Sequence, residues 1–65
     1  MNKVTFVAFK EEMKCGGFET PDLRYSANYL GDAYVVYQRG VHTVWITVYA
    51  TGSLRKVYDY LRKHN

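Results

Sequence analysis

The sequence predicts an α+β fold: a small antiparallel β-sheet of three to four strands, with a C-terminal amphipathic helix packed on one face. Three observations carry that expectation. Residues 33–50 contain two runs rich in β-branched and aromatic side chains on either side of Gln38-Arg39-Gly40. From Ser53 onward the apolar residues recur at helical spacing. At 65 residues, 48% of them hydrophobic, the chain has the length of one small domain, 1–65, and too much apolar content for a disordered segment.

Taken in chain order, residues 2–10 alternate with Val4, Phe6 and Ala8 on one side and Thr5, Val7 and Phe9 on the other, which predicts a strand with apolar side chains on both faces. Residues 11–18, with Gly16-Gly17, read as a mobile loop. Residues 21–30 fit two patterns. Leu23, Tyr25, Ala27 and Tyr29 alternate with polar residues ahead of a Gly31-Asp32 turn, which favours a strand; Thr20-Pro21-Asp22 and Gly31 would serve equally as the ends of a helix. The strand is preferred. The hairpin at 33–50 comes next, and a two-residue Arg39-Gly40 turn would set Tyr34 opposite Trp45, Val36 opposite Thr43 and Val35 opposite Val44. The helix then starts at Ser53 as N-cap, with Leu54, Val57, Tyr58 and Leu61 forming the apolar stripe and Arg55, Lys56, Asp59, Arg62 and Lys63 on the other side.

Composition narrows the function classes. Cys15 is the only cysteine, so no internal disulfide forms, and one thiol with two distant histidines makes no metal site. No signal peptide and no membrane-length apolar run is visible, and the expected location is the cytoplasm. Charge is uneven: residues 1–32 hold four basic and five acidic side chains, residues 33–65 five basic and one acidic. No phosphate loop, paired carboxylates or other cofactor motif is present, and no cofactor is expected.

Function is sought on the strand faces. Along 43–49, Val44, Ile46 and Val48 share one side, the expected seat of the helix, and Thr43, Trp45, Thr47 and Tyr49 the other. Trp45, Tyr49 and Tyr34, joined by Tyr25 and Tyr29, then form an aromatic face that one short helix cannot cover, with Arg39 at its margin. Such a face points to a small non-enzymatic binding protein, a regulator, inhibitor or adaptor that occupies a protein partner or a second copy of itself. A competing reading puts the helix on the aromatic side.

Nucleic-acid binding is the alternative function. There, bases stack on the same aromatics while Arg24, Arg39 and the helix residues Arg55, Lys56, Arg62 and Lys63 hold phosphates. A third reading assembles His42, Tyr37, Arg39 and Arg55 into a metal-free ribonuclease, although no motif marks that set and no catalytic residue is assigned.

Overall fold

The computed structural model describes residues 3–65, without the side chain of Thr43. Two helices lie against one face of a four-stranded antiparallel meander. The elements run α1 (Phe6–Lys14), β1 (Phe18–Glu19), β2 (Tyr25–Tyr29), β3 (Tyr34–Arg39), β4 (Trp45–Thr51) and α2 (Leu54–His64), with strand order β1-β2-β3-β4. The α+β class, the antiparallel sheet and the C-terminal helix are as the sequence predicts.

The segment 2–10 is not a strand. Thr5 caps a helix by accepting the Ala8 amide on Oγ1 at 3.1 Å, and the helix continues through Lys14, so residues 11–14 are helical and not loop. Asn2, in the expected strand, lies outside the described residues. Phe6, Phe9 and Met13 stand three and four residues apart and share a helix face; in a strand, Phe6 and Phe9 would point to opposite sides. Burying them together decides the outcome. Phe9 is fully buried, its ring 5.0 Å from Phe18, 5.4 Å from Tyr58 and 6.3 Å from Phe6.

α2 begins where expected, with Ser53 Oγ accepting the Lys56 amide at 3.3 Å. Val57, Tyr58 and Leu61 are buried, while Arg55, Lys56, Asp59, Arg62 and Lys63 are exposed. α1 lies over β1 and β2, and α2 over β3 and β4. The core fills the space between: Phe9 and Met13 from α1, Val57, Tyr58 and Leu61 from α2, and Phe18, Tyr25, Ala27 and Val36 from the sheet. The Tyr58 hydroxyl also donates to the Val4 carbonyl at 2.6 Å, tying the first residues of the chain to α2.

Between β1 and β2 the chain reverses through a hydrogen-bonded turn. Buried Thr20 accepts the Tyr25 amide on Oγ1 (3.1 Å) and donates its hydroxyl to Asp22 Oδ1 (2.7 Å), while the Asn65 amide donates to Asp22 Oδ2 (2.7 Å). These bonds, that from Thr20 foremost, hold the Asp22 carboxyl below its ordinary pKa of 3.8. A depressed carboxyl contributes stability that is complete above the unfolded value and is lost as pH falls through the folded one. Asp22 should therefore titrate below 3.8 by NMR. Asp22→Asn should flatten the acid limb of the stability profile below that pH, and an unchanged limb would show that the turn contributes nothing.

Candidate functional site

Sheet alternation and one irregularity decide which side chains face away from the helices. β2 pairs with β3 through Tyr25↔Gln38, Ser26↔Tyr37, Ala27↔Val36, Asn28↔Val35 and Tyr29↔Tyr34, so Ser26, Asn28, Val35, Tyr37 and Arg39 lie on the face opposite buried Ala27 and Val36. β4 pairs with β3 through Tyr34↔Thr51, Val35↔Ala50 and Val36↔Tyr49, then shifts to Tyr37↔Thr47, Gln38↔Ile46 and Arg39↔Trp45. The extra residue at the shift is Val48. This bulge changes the phase of the strand, so Trp45 and Thr47 face outward while Val48 and Tyr49 both pack against the core.

The expected aromatic face is thereby split. Trp45 stands on the open side, 38% exposed. Tyr25, Tyr34 and Tyr49 lie on the helix side. Tyr25 is buried, and Tyr49 stacks on Tyr60 of α2 at 4.6 Å with the rings 6° apart. Tyr29 and Tyr34 pair at 4.7 Å on that same side and line a 340 Å³ recess with Lys10, Met13, Lys14 and Leu54. Tyr29, Tyr34, Tyr49 and Tyr25 therefore do not join Trp45.

The assumed hairpin register also fails, because the connection is longer than two residues. Gly40 donates its amide to the Val44 carbonyl at 2.6 Å, and Val41–Thr43 form a single 3-10 turn in which His42 has φ 59°. Tyr34 thus faces Thr51 and Val35 faces Ala50. The predicted facing of the Thr43 side chain lies outside the described residues. Of Val44, Ile46 and Val48, the expected helix seat, Val48 packs against the core, while Ile46 and Val44 stay 54% and 59% exposed.

Two residues not singled out from the sequence as binders, Ser26 and Asn28, line a shallow 210 Å³ recess on the open face with Tyr37 and Trp45. Asn28 is fixed there by close packing. With its amide nitrogen turned inward it donates to the carbonyls of Gly16 (3.2 Å) and Ala27 (3.1 Å). Its side chain also fills the space where a Cβ on Gly17, at φ 139°, would stand. Beside the recess, Arg39 donates its amide to the Arg24 carbonyl at 2.8 Å, placing Arg24, just before β2, in one row with Arg39 of β3 and Trp45 of β4. Arg24 and Arg39 are both exposed.

The other basic residues are on the opposite side of the molecule. Arg55 lies 5.0 Å from the Phe6 ring and bridges to Asp59 at 3.3 Å, Arg62 lies 5.6 Å from the Tyr58 ring, and Lys56 and Lys63 flank the Tyr49–Tyr60 stack. No single surface therefore carries all the predicted phosphate-holding residues. The same separation divides the ribonuclease set: Tyr37 and Arg39 are on the open face, Arg55 is on the helix layer and His42 is in the β3–β4 turn. His42 does not face Tyr37, whose partner is Thr47.

Among the described residues, no group of three or more His, Cys, Asp or Glu stands close enough to hold a metal ion, and no helix is long and apolar enough to cross a membrane. Cys15 caps α1 and is exposed. No protein-family model, curated protein or solved structure matches the chain.

Proposed function

We propose that this chain is a non-enzymatic binding protein of the cytoplasm, a regulator, inhibitor or adaptor, whose contact surface is the open sheet face and whose partner is the acidic surface of another protein. One observation carries the reading. Both helices cover the same side of the sheet, leaving Trp45 and Tyr37 beside the Arg24–Arg39 pair on the other. Trp, Tyr and Arg are the residues that dominate interface energetics, because each buries a large, fairly rigid surface and still offers a polar group. Asp22 accepts the Arg24 amide and partly neutralises that side chain; no carboxylate among the described residues pairs with Arg39. An acidic partner supplies the missing charge.

Single-stranded nucleic acid is the second reading, favoured by the two neighbouring guanidiniums next to a stacking ring. Affinity purification with wild-type, Trp45→Ala and Val7→Ala baits separates the two. The expected result is a stoichiometric protein retained by wild type and Val7→Ala and lost by Trp45→Ala. Recovery of nuclease-sensitive material whose affinity falls steeply and log-linearly with salt establishes the second reading. A partner indifferent to Trp45 but lost on replacing Lys56 and Lys63 moves the site to the helix layer and refutes both.

A further inference from the structure

β4 is the last strand of the sheet, and no described strand lies beyond it. Which of its backbone groups point outward follows from the hydrogen bonds around it. The Arg39 amide is spent on Arg24 of the β2 side, and the Gly40 amide on Val44. The Arg39↔Trp45 pair is therefore a non-hydrogen-bonded one, so the amides and carbonyls of Trp45 and Thr47 point away from β3, while those of Ile46 point toward it and the Val44 amide is spent on the Val41 carbonyl within the turn.

Apart from the bulge at Val48, this edge carries little of the usual protection. Monomeric proteins guard an open edge with charges or proline, yet residues 40–54 contain no Asp, Glu, Lys, Arg or Pro in a chain that is 23% charged. The large apolar residues Val41, Val44, Trp45 and Ile46 are exposed together along it. The bulge at Val48 bends only its far end, so Val44–Thr47 remains regular.

We infer that β4 pairs antiparallel with β4 of a second copy about a two-fold axis at Ile46, joining two sheets into one. In this register Trp45 and Thr47 of each copy exchange amide-to-carbonyl bonds with Thr47 and Trp45 of the other. The two Ile46 residues meet as a non-hydrogen-bonded pair, where side chains approach most closely. Val44 of each copy faces Val48 of the other, so the exposed Val44 and Ile46 side chains gain apolar cover. A second copy is the occupant that suits this edge: an uncharged strand offers a foreign peptide no charge to read, and it meets its own image without like-charge repulsion.

The inference is independent of the partner-binding reading. Trp45→Ala leaves the backbone edge intact, and Ile46→Lys leaves the open face intact. The contact is smaller than the ~800 Å² per partner of a standard interface, so the dissociation constant is expected at about 10–100 µM.

Sedimentation equilibrium from about 1 µM to about 1 mM should show the average mass rising from that of the 7.6 kDa chain toward twice that value. Ile46→Lys and Val44→Lys should each weaken the dimer at least about tenfold, while Val7→Lys on α1 leaves it unchanged. Ile46→Cys in a Cys15→Ser background should form a disulfide-linked dimer on mild oxidation, and Val7→Cys should not. The cross-link reads the register directly and does not depend on how far either lysine disturbs folding. A chain that stays monomeric to about 1 mM, or a dimer that resists both lysines and never cross-links through position 46, overturns the inference.

Discussion

Phe9→Ala is expected to leave the chain largely unfolded in water at 25 °C. Phe9 is fully buried at the centre of a ring cluster that joins α1 (Phe6), β1 (Phe18) and α2 (Tyr58). Removing a buried phenyl ring costs about 3–5 kcal/mol in lost transfer energy and residual cavity. A domain of this size has only about 3–10 kcal/mol in total, at the usual 0.05–0.15 kcal/mol per residue. The loss is thus of the same order as the whole stability. Urea titration followed by far-UV circular dichroism should give a cooperative transition for wild type and little or no folded baseline for the variant. Val7→Ala, two residues away on the exposed side of α1, should change the stability by no more than about 0.5 kcal/mol. Equal small effects at Phe9 and Val7 would mean that α1 does not pack on the sheet as described.

Trp45→Ala has the second large effect, on binding instead of folding. Its ring is half-exposed on a face without helices, so truncation removes little core packing and should leave the unfolding midpoint within about 1 kcal/mol of wild type. For a partner seated on the recess beside Ser26, Asn28 and Tyr37, loss of a central tryptophan is worth at least about 2 kcal/mol, close to a thirtyfold weaker Kd. Most of that change should appear as faster dissociation in a surface-binding measurement. Tyr49→Ala supplies the contrast. That ring stacks on Tyr60 of α2, so its removal should lower stability and leave affinity per folded molecule unchanged.

The sheet and α2 were legible because their signals are redundant: β-branched and aromatic runs mark β3 and β4, and Ser53 with Leu54, Val57, Tyr58 and Leu61 marks a capped helix. α1 was not, because residues 4–9 satisfy strand alternation and helical spacing equally well. The discriminating signals were present in Thr5 as an N-cap and in the helix-favouring Lys10-Glu11-Glu12-Met13-Lys14, beyond the alternating stretch. The site was half legible. Alternation sets Trp45 on the uncovered face with Arg39 at its margin, but it also groups Tyr25, Tyr29, Tyr34 and Tyr49 with Trp45, and a bulge at Val48 has no signature in Thr47-Val48-Tyr49. The longer β3–β4 turn, with His42 left-handed, then moved every β3–β4 pair, and this is why Tyr37 and Trp45 come to share a face only in the register.

The openness of the Trp45 face is the central claim, and Trp45 is the only tryptophan in the chain. Iodide quenching of its fluorescence, measured at about 1 µM, below the dissociation constant expected for the dimer, compares the native chain with the same chain in urea. At 38% exposure the native quenching constant should be roughly a third to a half of the unfolded one. A native constant near zero would place Trp45 in a covered core and contradict the account.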